Sequence, residues 1–194
     1  MKNNNLFTSV SLLFFICVLC SSCNDMKLAK EASGKWECIN IIGEDGIKEK
    51  TYYEFGTVEG NTPGGSLKET TYFTQSEDYG DGKCNVKYKS IIQGTWEIIA
   101  GDIYFTYDLS TLKVSFEGID YPDMDKFSES IAQGFIKNYG QSLIQEDINE
   151  MKEELYSWYS ENDNNEDCYR NVKIKGNNMS FKAQDAVVKL VRIK

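Results

Sequence analysis

From residue 34 onward, apolar and polar positions alternate in short runs. "KWECINII" at 35–42, "TYYEFGTV" at 51–58 and "DIYFTYD" at 102–108 each repeat at period two and end in turn residues, as strands do. The same pattern predicts further strands at 70–76, 85–91, 93–99, 111–117, 169–175, 178–182 and 186–193. "NTPGG", "DYGDGK", "AGD", "DLS" and "GNN" stand between the runs, and these residues tolerate positive φ or tight reversal. The spacing makes hairpins of 93–99 with 102–108 and of 169–175 with 178–182. Eight to ten antiparallel strands in sequence predict a mainly β fold, closed as a barrel or stacked as a sandwich.

Between Asp123 and Glu161 the period changes. Met124, Phe127, Ile131 and Phe135 form one stripe, and Ile144, Ile148, Met151, Leu155 and Trp158 form another at steps of 4, 3, 4 and 3. That spacing is helical. Gly140 falls between the stripes and predicts two helices, the second ended by "NDNNEDC". The domain at 34–194 thus carries a helical insertion over 120–162. Its stripe either plugs one end of the β-structure, as apolar helix faces commonly do, or serves as a lid or partner-binding face.

The N-terminus reads as an address. "MKNNNLFTSVSLLFFICVLCSSC" begins with Lys2, continues with an apolar run at 12–19 that is short for a bilayer, and ends in small Ser21 and Ser22 before Cys23. Residues 1–22 are expected to be a signal peptide, and 23–33, "CNDMKLAKEAS", a short polar tether. "CSSC" at 20–23 resembles the bacterial lipobox, whose cysteine is diacylated and becomes the new N-terminus. Cys20 stands where that pattern usually has Leu, and bulky Leu19 makes Cys20 itself a poorer acceptor. The resemblance implies lipid attachment at Cys23, the membrane as a partner through that lipid, and the cell envelope of a Gram-negative bacterium, with the outer membrane expected. The alternative is an ordinary cleaved signal with a coincidental Cys23.

Composition narrows the chemistry. The formal charge of −9 opposes nucleic-acid binding and is a poor match to an anionic membrane surface. The absence of histidine excludes Ser-His-Asp, Cys-His and His-zinc sites. Three cysteines remain beyond Cys23. Cys38 lies two residues after Trp36, on the same strand face, and reads as a core thiol. Cys84 and Cys168 each sit where a polar loop enters a strand, and an exported compartment permits a disulfide between them. "DNNED" at 163–167 begins like a calcium loop, but Cys168 and Ile174 occupy the positions that need Gly and Glu. A looser oxygen site would use Asp163, Asn165 and Asp167, and a solvated loop explains the run equally well. The reading therefore assigns no metal, no cofactor and no catalytic residue.

"GKWECI" at 34–39 returns as "GTWEII" at 94–99. Glycine permits a close turn at a barrel end, and Trp36 can close that end with a large flat ring. Arg192, on the last strand, is placed to lie across it. Gly34, Trp36 and Arg192 are thus the expected barrel closure. With Cys23 and the hairpin "EIIAGDIYFTYD", these segments resemble the lipocalin-like lipoproteins of Gram-negative anaerobes over 34–118 and 169–193. The resemblance implies an antiparallel lipocalin-like β-barrel of about 8–10 strands, with the helical segment near 123–161 inserted.

Tyr52, Phe55, Tyr72, Phe105 and Tyr107 would then line a ligand cavity or simply fill the barrel. Trp158 or Tyr159 would stack on a sugar or pack the helix onto the sheet. Two function classes follow. One is a non-enzymatic, membrane-anchored binding module for a small apolar or amphipathic ligand, with an enclosed cavity. The other is a protein-interaction, inhibitor, immunity-type or envelope-assembly lipoprotein, with a filled barrel and an exposed apolar patch on 123–160. An enzyme would need a cleft with perturbed carboxylates, and ranks behind both. No ligand-binding residue is readable.

Overall fold

A computed structural model describes residues 23–39, 48–78, 83–122, 125–161, 166–183 and 186–194. The fold is mainly β. Eight strands, β1 Gly34–Cys38, β2 Lys48–Phe55, β3 Gly64–Asp78, β4 Lys83–Ile99, β5 Asp102–Asp120, β6 Glu166–Lys175, β7 Asn178–Ala183 and β8 Ala186–Ile193, follow one another around a single antiparallel sheet. β8 pairs back onto β1, so the sheet closes on itself. Helix α1 covers 23–32, and helix α2 covers Lys126–Ser160.

Both expected hairpins form. In the first, Ile99 pairs with Asp102 across a turn with positive φ at Ala100 and Gly101. In the second, Lys175 pairs with Asn178. The ten runs make eight strands, because two breaks between runs are irregularities within longer strands. The runs 85–91 and 93–99 are one strand, β4, with a register shift between Ile91 and Gln93. Opposite it, "DLS" does not reverse the chain. Asp108 accepts the amide and hydroxyl of Ser110 at 3.1 and 2.6 Å, and the Thr111 hydroxyl accepts the Gln93 amide at 2.8 Å. Local side-chain bonds thus satisfy a bulge instead of a turn.

The helical region also differs from expectation. It is one helix of 35 residues, and Gly140 lies buried inside it. A helix-interior glycine costs only about 1 kcal/mol, which packing against the sheet outweighs. The second stripe faces the protein at Ile144, Ile148, Met151 and Leu155, but its last step falls on Tyr159. Tyr159 is 4 % exposed and Trp158 53 %.

The polar tether expected at 23–33 is not one. Residues 23–32 form α1, whose Ala29 and Ala32 are wholly buried against the core. Asp25 accepts the amides of Ala100 and Gly101 at 2.8 and 2.9 Å and so holds the helix to the β4–β5 turn. The polar surface of "NDMKLAKEAS" concealed a narrow apolar face of small residues.

Inside the closed sheet, Phe105 is the centre of an aromatic cluster. Tyr169, Phe55, Tyr53, Phe181 and Tyr107 lie around it with centroid separations of 5.0, 5.5, 5.7, 6.2 and 6.3 Å. Strands β3, β4 and β5 are 15, 17 and 19 residues long and outrun the others. α2 packs on β5, and the Tyr88 hydroxyl of β4 donates to Asp147 of α2 at 2.9 Å.

Candidate functional site

Leu67, Glu69 and Thr71 alternate along β3 and point inward, all buried. Glu69, 6 % exposed, thus sits where strand geometry calls for an apolar side chain. Its carboxylate is met by hydroxyls from three elements. Tyr107 of β5 donates to Oε2 at 2.8 Å, Tyr159 of α2 donates to Oε1 at 2.9 Å, and Thr71 approaches Oε1 at 3.5 Å. The rings of Tyr107 and Tyr159 touch, with centroids 4.6 Å apart. Thr51 and Thr71 share a hydroxyl contact of 3.1 Å on the next inward level.

A second carboxylate acts on the first. Asp167 of β6 pairs with Phe105 and accepts the Tyr169 hydroxyl at 3.1 Å. Burial pushes Glu69 up to about 6, and the Asp167 charge pushes the same way, while the Tyr107, Tyr159 and Thr71 hydroxyls pull it down. Tyr53, Tyr107, Tyr159 and Tyr169 are all raised well above the ordinary phenol range, chiefly by burial and the Glu69 charge, with the Asp167 charge adding at Tyr159 and Tyr169. These phenols therefore act as hydroxyl donors and not as acids. Glu49, half-buried on β2, is also raised by burial.

The residues expected to close the barrel come together as well. The Arg192 guanidinium lies 4.2 Å from the Trp36 ring centroid. It also donates to the carbonyls of Ser33, at 2.6 Å, and Glu31. The Trp36 indole donates to the Ala32 carbonyl at 2.7 Å. Gly34 has φ +129°, and a Cβ there would run into Arg192. The second tryptophan of the doubled motif, Trp96, is buried against Phe55 with centroids 5.3 Å apart, and its indole N–H is unpartnered among the described residues.

Other expected positions separate. Phe55, Phe105 and Tyr107 pack against one another in the core, whereas Tyr52 and Tyr72 lie on the outer face, edge to face at 5.9 Å. Cys84 and Cys168 are not joined. Cys84 pairs with Glu77 at the start of β4, and Cys168 pairs with Tyr104, itself opposite Glu97 near the end of β4. That offset is on the order of 40 Å along the strand, far beyond disulfide reach. Asp163 and Asn165 lie outside the described residues, and Asp167 turns inward beside Tyr169. Among the described residues, no group of three acidic, cysteine or histidine side chains is placed to hold a metal. Cys23 is exposed at the start of α1.

Glu69 lies one residue before the strand expected at 70–76, and so outside every candidate site of the sequence. The signal was present: in "LKETTYF" the inward set of Leu67, Thr71 and Phe73 forces Glu69 inward too. A scan against models of protein families finds no match to this chain, and a comparison with curated proteins finds none either.

Proposed function

We propose that the chain is a non-catalytic, lipid-anchored, lipocalin-like protein of the cell envelope that takes a small amphipathic ligand at Glu69. One observation carries this reading. A buried carboxylate is held by two tyrosine hydroxyls, and one of them, Tyr159, belongs to α2 and not to the closed sheet. An apolar side chain at residue 69 would stabilise such a core at least as well, so the retained acid points to a binding role. A ligand hydroxyl or amine that replaces Tyr159 would find the same acceptor, with aromatic walls for its apolar part. Both carboxylate oxygens are occupied by donors, which favours holding a ligand over moving a proton. Attachment at Cys23 rests on the lipobox resemblance and on its exposure at the surface.

Native mass spectrometry of the full protein from its own host, before and after denaturing extraction, tests the reading. A small molecule of defined mass on the wild type, lost in Glu69→Gln, is the expected result. Retention of that molecule in Glu69→Gln, or a bare chain from wild type and variant alike, overturns it.

A second reading has its own observation. Ile131, Tyr156 and Trp158 on α2 are exposed large apolar side chains. They suit a protein-interaction or envelope-assembly role, and a second chain in the same mass spectrum would favour it.

A further inference from the structure

The net charge of −9 conceals a segregation. Residues 168–194 contain seven basic residues and one acidic residue, Asp185. The closed sheet turns five of them outward on three neighbouring strands: Arg170, Lys173 and Lys175 on β6, Lys182 on β7 and Lys189 on β8, all exposed. A register shift between Arg170 and Lys173, with Asn171 at φ +57°, makes this face. Without the extra residue, strand alternation would send Arg170 and Lys173 to opposite sides. With it, Tyr169, Val172 and Ile174 go inward and the basic residues stay together.

The arrangement is costly for folding. Arg170 stands directly opposite Lys182, and Ser180 separates Lys173 from Lys189 in the next row. Like charges opposed across strands repel. None of the five has an acidic partner at ion-pair distance among the described residues; elsewhere on the sheet Lys35, Lys50, Lys68 and Lys87 do, while Lys89 and Lys113 do not. Ser180 and Val187 stand between the cations.

Its neighbour on the molecule is the start of α1. Asp25, two residues after Cys23, binds the Gly101 amide, and the Gly101 carbonyl accepts the amide of Val172 on β6 at 3.0 Å. Lys27 and Lys30 are exposed on α1 itself. We propose that the outer face of β6, β7 and β8 lies on an anionic phospholipid surface, with Cys23 beside it as the point of lipid attachment. Charge complementarity selects the partner, and the position of Cys23 selects a membrane over a soluble polyanion. A lipid anchor holds the domain at the surface, and an adjacent basic patch sets which face it turns to the headgroups. The placement of Cys23 rests on the anchor reading above, whereas the basic face does not.

The test is amine labelling of the full protein, extracted from its host and reconstituted into vesicles. One set contains phosphatidylglycerol and the other only phosphatidylcholine. Lys173, Lys182 and Lys189 are expected to label several-fold more slowly on the anionic vesicles, and the protection should vanish at about 0.5 M salt, where screening reaches within a few Å. Lys137 and Lys152 on α2 should label equally on both. Equal labelling of the sheet lysines on both vesicles overturns the proposal. So does protection by a soluble acidic polysaccharide but not by vesicles, which would identify a glycan as the partner. The Lys173→Glu/Lys182→Glu/Lys189→Glu variant should lose the difference between the vesicles while retaining its thermal transition. The mass of the Cys23 peptide reads the anchor separately, and an unmodified cysteine beside persistent protection would remove the anchor and leave the basic face.

Discussion

The Tyr159 hydroxyl of α2 donates to the Glu69 carboxylate of β3 at 2.9 Å, across 90 residues of chain. Burial holds that carboxylate at about 6, above its ordinary value of 4.5. The folded state therefore binds more protons than the unfolded chain between these pH values. The stabilisation is complete below about pH 4.5 and is lost as pH rises through about 6, in total on the order of 2 kcal/mol. Urea midpoints measured from pH 4 to pH 8 should show this fall superimposed on the other carboxylates, and Glu69→Gln should remove it.

Four buried phenols predict alkaline behaviour. Tyr53, Tyr107, Tyr159 and Tyr169 are held protonated well above the ordinary phenol range. In the unfolded chain they ionise near pH 10, so stability falls as pH rises past that point. Absorbance near 295 nm should show the exposed tyrosines titrating smoothly and a later step that coincides with loss of far-ultraviolet ellipticity. Smooth titration of every tyrosine without unfolding would contradict the packing.

Arg192 joins three groups at the Trp36 end: the indole face and the carbonyls of Ser33 and Glu31. Arg192→Leu keeps the apolar stem and removes all three interactions. A loss of about 2–3 kcal/mol is expected in chemical denaturation. Trp36→Ala should lose more, about 3–5 kcal/mol, by emptying the end of the core.

Asp25→Ala removes the acceptor for both turn amides of the β4–β5 hairpin. Hydrogen exchange should rise at Ala100 and Gly101 and through residues 23–32, with little change in β2 or β3. A global loss of about 1–3 kcal/mol is expected. Unchanged exchange in α1 would show that Ala29 and Ala32 hold the helix without Asp25.

Gly134 lies in α2 with open space where a Cβ would stand. Gly134→Ala should stabilise the protein by up to about 1 kcal/mol, since alanine loses less backbone entropy in a helix. A thermal midpoint that moves upward checks it.

The strands were legible because one face of the sheet is buried, which imprints period two on "KWECI" and "DIYFTYD" alike. Boundaries inside β4 and β5 were not, because Asp108, Ser110 and Thr111 can close a turn or a bulge with the same side chains, and only the partner strand decides. α1 was missed because its buried face is built from Ala29 and Ala32, too small to register beside four charged neighbours. The Trp36–Arg192 pair could be named from sequence, since both ends of a closed sheet must meet. Glu69 and Tyr159 could not be paired, because nothing local relates the middle of a strand to the end of a distant helix.

The docking of α1 would also fix the mechanics of the proposed attachment. Whatever is bonded to Cys23 is coupled to the sheet within two residues, through Asp25, with no slack in between. A lipid mount there would have little reach. The domain would stand at one tilt above its support, and its distance from that support would be set by the fold instead of by thermal wandering of a leash.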